Sequence, residues 1–223
     1  PGPIRDGRLR GIELSDGSSL EADRYVFACG PWLARLFPEL LGSGLETSRQ
    51  EVHYFGTPAG SDAFEPGRLP VWVDFGERVF YGIPGNHGRG FKIADDTHGE
   101  PVDPTRLDRT PTAGGIARVR SALAERFPRL ADAPLLESRV CQYTNSPDGH
   151  FVLDRHPEAE NLWIAGAGCG HGFKLSPAVG EHVAGLVTGR AAPMAKFSVE
   201  RLAGRGAGRS QFGIGGGEGR PPA

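Results

Sequence analysis

The sequence has no apolar run near the roughly 20 residues needed to span a bilayer. Its opening, "PGPIRDGRLRG", does not read as a signal peptide. Three cysteines are too few for a disulfide framework, so a cytoplasmic, reducing setting is expected. Lys and Arg number 25 against 27 Asp and Glu, a net charge of −2, and no basic surplus points to nucleic acid or an anionic membrane surface. The cysteines and histidines fall in neither C-x-x-C nor H-x-x-x-H spacing, so no metal is expected. No G-x-S-x-G elbow supports a hydrolase. The chain also starts at Pro1, not Met, and is expected to be a piece of a longer one.

What the sequence does have is 34 glycines, 19 prolines and a change of pattern along its 223 residues. "RLRGIELSDGSSLEADRYVFACGPW" reads as a hairpin turning at Asp16-Gly17, then a buried strand over 25–28. A short helix is expected from Pro31 to about Phe37. "EVHYFGTP", "LPVWVDFG", "RVFYGIP" and "GFKIADD" read as four short strands in an antiparallel meander. In "GGIARVRSALAERFPRL", Ile116, Val119, Leu123 and Phe127 share a helical face that Pro128 ends. "SRVCQYT", "HFVLDRHP" and "LWIAGAG" read as three more strands. The next helix takes Ser176 as N-cap and Pro177 in its first turn, with Val179, Val183 and Leu186 on one stripe. The Gly/Arg/Pro-rich end is expected to be a disordered tail over 201–223. The expected fold class is α/β plus an antiparallel sheet, a nucleotide-binding domain interrupted by a sheet domain.

The chemistry concentrates in a few places. Glycines 166, 168, 170 and 172 lie between a strand and a helix start, with Lys174 close behind. Bare backbone amides and a helix dipole favour a negatively charged ligand, although a structural turn has the same composition. Phe173 separates Gly172 from Lys174, so this is no Walker A loop, and His171 stands where a dinucleotide G-x-G-x-x-G needs its third glycine. Lys92 lies mid-strand, a position a snorkelling edge lysine also takes. Tyr81 and Tyr143 read as core or cleft aromatics, and Cys29 as a small buried residue.

"VCQYTNSPDGHFVLDRHPEAENLWIAGAGCGHGFKLSPAVGE" resembles the C-terminal signature of the FAD-dependent amine oxidases of the monomeric sarcosine oxidase and N-methyltryptophan oxidase group, within the D-amino-acid-oxidase-like superfamily. "FYGIPGNHGRGFKIADDTHGEPVDP" is similar to that group's active-site strand pair, and "ADRYVFACGPWLARLFP" to its strand and turn near the flavin nucleotide. The resemblance covers roughly residues 6 to 200. It implies FAD held covalently through Cys141 and Lys92 as the oxygen-activating lysine. It also implies Tyr81 and Tyr143 in the substrate pocket, Lys174 on the substrate carboxylate, and Gly168, Gly170, His171, Gly172 and Phe173 against the flavin. Cys29, Gly30 and Trp32 match the strand and turn near the flavin nucleotide.

The implied domains are a partial FAD-binding domain over 1–46, a substrate sheet domain over 47–147 and the C-terminal FAD-binding segment over 148–200. The implied reaction oxidises the C–N bond of a secondary amine or N-methyl amino acid with oxygen, giving an imine and hydrogen peroxide. Two departures stand out. Asp96 occupies the position four after the lysine where the group often has histidine, which favours a more basic or polar amine than sarcosine. This sequence also contains no N-terminal G-x-G-x-x-G unit, so an N-terminal FAD-binding half is an expected partner. A flavin-dependent dehydrogenase of the same superfamily, or a non-catalytic subunit, stays open at this point.

Overall fold

The computed structural model describes residues 1–85 and 88–203. The residues divide into two compact units, Pro1–Thr47 with the stretch from Tyr143 onward, and Ser48–Gln142.

The first unit begins with two short hairpins, β1 (Ile4–Arg5) with β2 (Arg8–Leu9) and β3 (Ile12–Glu13) with β4 (Ser19–Leu20). The second turns at Asp16-Gly17 as expected, with Gly17 at φ 84° and Ser18 tied to the Asp16 carboxylate. Strand β5 (Tyr25–Phe27) buries Tyr25 and Phe27 and leads into a 3₁₀ turn, Gly30–Trp32. Helices α1 (Leu33–Leu36) and α2 (Pro38–Leu41) follow; the second is absent from the sequence reading because Pro38 opens a new helical turn where a stop was expected.

The second unit is built on one sheet. Its strands are β6 (Glu46–Phe55), β7 (Trp72–Phe75), β8 (Val79–Ile83), β9 (Phe91–Asp95) and, beyond the helix, β10 (Leu135–Asn145), ordered β10-β6-β9-β8-β7. The expected four-strand meander holds only for β7, β8 and β9. Strand β6 pairs with β9 instead of β7. The long connection from β6 carries Phe64 (6% exposed) into the core before β7 begins, which takes the chain across the sheet. Helix α3 (Ala113–Arg126) is capped by Thr112, whose side chain accepts from the Gly115 amide. It packs Val119 and Leu123 against Phe55, Phe91 and Ile93.

The chain then completes the first unit with β11 (Val152–Arg155), β12 (Leu162–Gly166) and α4 (Ser176–Thr188). Strand β12 runs antiparallel to β11 and parallel to β5, so within these strands the parallel α/β character amounts to one strand pair. The core joins Phe27, Leu33, Leu41, Val152, Leu162 and Ile164. Ser176 is not an N-cap: its φ of −54° and ψ of −37° are helical, and the 3₁₀ turn Phe173–Leu175 runs straight into α4 with Leu175 in the cap position. Leu202 is 2% exposed in this core, so residues 201–203 are not a loose tail. The remainder of that expected tail, 204–223, lies outside the described residues.

Candidate functional site

In the Ser48–Gln142 unit, Lys92 lies on β9, an interior strand between β6 and β8. The edge-lysine reading is therefore wrong. Paired residues in a ladder share a face, so Lys92 stands with Tyr54 and Ile83 on one face, and Tyr81 joins through Ala94. Phe55, Phe91 and Ile93 point to the opposite face, under α3. Strand alternation thus spends one face on the core and frees the other for polar chemistry.

Lys92 Nζ sits 5.0 Å from the centroid of the Tyr81 ring. Among the described residues no carboxylate lies within salt-bridge distance of it. Burial pushes its pKa down, opposed by the charges of Cys141 and Asp96 and reinforced by Arg89. Cys141 is half-buried on β10, and Asp96 follows β9 directly, its amide donating to Val79 O at 2.6 Å. Lys92, Tyr81, Asp96 and Cys141 are thus one neighbourhood.

In the first unit, the loop after β12 holds Ala167, Cys169 and Gly170 at φ 55°, 47° and 80°. A Cβ at Gly170 would collide with the Tyr143 ring, so the backbone lies flat on that tyrosine. His171 packs edge-on against Phe151 at 5.6 Å, and its carbonyl accepts from Lys174 Nζ at 3.3 Å. Phe173 is 94% exposed. Among the described residues, the amides of Gly170, Gly172 and Phe173 make no backbone hydrogen bond outside a helix. They are free donors just ahead of a 13-residue helix.

Gly168 packs against Gly172, where a side chain on either would crowd the other. Cys29 is half-buried rather than fully buried, and desolvation pushes its thiol up. Gly30 (φ 49°) has open space where a side chain would be, and Trp32 is 40% exposed.

The sequence reading missed Tyr54, the cross-strand partner of Lys92, because register is not readable from alternation alone. It also missed Ser146, Asp148 and Arg201, which bind one another and Cys169. Arg201 falls within the tail expected from sequence over 201–223.

Each unit by itself carries groups that suit a flavin: in the sheet unit, a half-buried lysine without a carboxylate ion pair among the described residues and with a thiol in electrostatic reach; in the first unit, loop amides without a backbone partner that suit an anionic ring edge. No helix among the described residues is long and apolar enough to cross a membrane.

The chain matches the FAD dependent oxidoreductase (DAO) family over residues 3–186. It is 34% identical to monomeric sarcosine oxidase from Bacillus sp. (strain NS-129) over 180 residues, covering 79% of this chain and 46% of that protein. It is 33% identical to Homo sapiens peroxisomal sarcosine oxidase over 200 residues, 81% of this chain and 50% of that one. N-methyl-L-tryptophan oxidase of Salmonella heidelberg (strain SL476) is 30% identical over 188 residues, 80% and 47% of the two chains. The chain spans about half the length of these relatives. A modified fructosyl peptide oxidase from Aspergillus nidulans shares the fold, with a TM-score of 0.76 at 22% identity over 92% of this chain and 50% of that one. The free loop amides and the interior lysine thus sit in a chain that belongs to the FAD dependent oxidoreductase (DAO) family.

Proposed function

We propose that this chain is part of an FAD-dependent amine oxidase, acting on the C–N bond of a secondary amine or N-methyl amino acid. The balanced reaction is R₂CH–NHR′ + O₂ → R₂C=NR′ + H₂O₂, followed by hydrolysis of the imine. The observation that carries this reading is Lys92, half-buried on an interior strand against Tyr81, with Cys141 in electrostatic reach. FAD, when bound, supplies the two-electron acceptor chemistry.

The residues have separate tasks. Lys92 holds a fixed positive charge where negative charge develops on oxygen, and partial desolvation strengthens its field. Tyr81 orients that ammonium through its ring face. Cys141 offers the half-buried thiol for covalent attachment. Asp96 adds a carboxylate that favours an amine with further polar or positive groups. The amides at Gly170, Gly172 and Phe173 support an anionic ring edge, with Tyr143 beneath them. Lys174, exposed on its 3₁₀ turn, is placed to meet a substrate carboxylate. Cys29, Gly30 and Trp32 are assigned to the nucleotide side. Segments 1–46 and 148–200 belong in this reading to an FAD-binding domain interrupted by the sheet domain over 47–147, and an N-terminal FAD-binding half completes the site. Three free thiols suit a cytoplasmic, reducing setting.

The test is the mass of tryptic peptide 140–155 from the natural protein after acid denaturation, paired with amine-dependent peroxide release. A flavin-sized addition on Cys141 with peroxide formation is expected. Peroxide release with an unmodified peptide removes the covalent link. No flavin and no peroxide with any N-methyl amino acid overturns the oxidase reading.

A further inference from the structure

The loop after β12 holds two non-glycine residues in the left-handed region, Ala167 and Cys169, and both are 1% exposed. Such backbone persists only where its surroundings over-determine it. Here the surroundings can be named. The Cys169 amide donates to Thr144 O at 3.0 Å. Its Sγ–H donates to Ala167 O at 3.2 Å, and its sulfur accepts from the Ser146 amide at 3.4 Å and lies 3.5 Å from Ser146 Oγ. Burial pushes the thiol up, so it stays a donor at neutral pH.

The network continues outward. Ser146 Oγ shares its proton between His150 O at 2.7 Å and Asp148 Oδ1 at 3.2 Å. Asp148 receives Arg201 as a fork, Nε to Oδ2 at 2.9 Å and Nη2 to Oδ1 at 3.2 Å. Arg201, with its side chain 10% exposed, also donates to His150 O and Ser198 O at 2.6 and 2.8 Å. Leu202 anchors the same stretch against Gly44. A chain of contacts thus runs from the C-terminal stretch to the inside of the loop.

We propose that Cys169 and Arg201 are positioning residues for loop 167–173. The thiol pins the left-handed turn from inside, and the guanidinium, through Asp148 and Ser146, clamps the turn on which the thiol leans. The consequence is a fixed direction for the free amides of Gly170, Gly172 and Phe173. This rests on the reading of that loop as flavin-facing.

Two measurements on the full protein test it. The first is amide hydrogen exchange at Cys169 and His171 without flavin, since the Cys169 amide is bonded to Thr144 O and the His171 amide to Gly168 O within the loop. Cys169→Ala and Arg201→Gln are expected to speed it at least tenfold, and Cys169→Ser, which keeps a small donor and acceptor, to stay within about threefold of the parent. Ser146→Ala is the milder variant should Arg201→Gln fail to fold, and it is expected to loosen the same two amides. The second is the flavin's visible spectrum and midpoint potential in the loaded protein. Both are expected to move in Cys169→Ala and Arg201→Gln and to return in Cys169→Ser and Arg201→Lys. Unchanged exchange at the two amides overturns the proposal, as does a lower melting temperature with spectrum and potential unmoved. A parent protein that binds no flavin overturns the oxidase reading alone, because the exchange measurement still decides the positioning role.

Discussion

The two units solve the burial problem differently. In Ser48–Gln142, α3 covers one sheet face and buries Gly115, Val119, Ala122 and Leu123, while the other face carries Lys92, Tyr54 and Tyr81 among Val52, Ile83 and Ala94. In the first unit, α4 buries only Gly185 and Leu186 of its thirteen residues, and Phe173, Leu175 and Trp32 are each more than a third exposed. The first unit's order comes instead from Phe27, Leu33 and Ile164 in the strands and α1, and from hydrogen bonds around the glycine loop. A site on the sheet unit therefore inherits the rigidity of a closed core. A site on the glycine loop depends on a few polar contacts.

The largest expected effect tests that contrast directly. Leu123, 0% exposed between α3 and the sheet, should cost about 2–5 kcal/mol when changed to alanine. Val183→Ala on half-exposed α4 should cost about 1 kcal/mol or less. Urea unfolding of both variants checks this, and equal losses break the comparison. Next comes Lys92→Met. Removing a partly desolvated charge should leave stability unchanged or slightly raised, while oxygen-dependent turnover falls about 10²–10³-fold. Anaerobic reduction by amine should change only a few-fold. An oxygen step that survives the substitution removes Lys92 from the mechanism.

The two units also differ in how far their sequences could be read. The strands at 72–75, 79–83 and 91–95 and the α3 stripe were legible because apolar periodicity follows burial, and this unit buries one face cleanly. The place of β6 beside β9 was not, since pairing order is set by tertiary packing around Phe55 and Phe64. The glycine loop was visible as composition. Its left-handed Ala167 and Cys169 were not, because nothing local marks a non-glycine residue held there by Ser146 and Thr144. Ser176 reads as a cap in sequence, but continuation of the preceding 3₁₀ turn puts it inside the helix.

Glycine substitutions sharpen the contrast within the first unit. Gly170→Ala adds a methyl at φ 80° against the Tyr143 ring and should cost about 1–3 kcal/mol. Gly180→Ala on α4 meets nothing within 4 Å and should stabilise by about 0.4–1 kcal/mol. Thermal midpoints of opposite sign are expected; two losses would mean that α4 is covered at Gly180 in the folded protein.

The smallest effect is a pH slope that each unit carries through one buried histidine. His53, 1% exposed in the sheet unit, lies 2.8 Å from Ser138 Oγ by Nδ1 and 3.7 Å from Glu51 Oε2 by Nε2. Burial pushes its pKa below the ordinary 6.5; Glu51 opposes this and Arg118 adds to it. His156 in the first unit is also lowered, again mainly by burial, with Glu158 opposing. As pH falls through about 6.5 the unfolded chain takes up these protons before the folded one does. Stability must therefore fall with acidification, by at most about 1.4 kcal/mol per histidine per pH unit. The fall stops once the folded histidines are protonated too. His53→Gln should flatten the slope for the sheet unit and His156→Gln for the other, measured as urea midpoints between pH 7.5 and about 5. Glu51 and Asp148 have lowered carboxylate pKa values, so their losses fall at lower pH and leave this window clear. A slope that survives both substitutions would place the acid sensitivity outside the two cores and remove the histidines from the comparison.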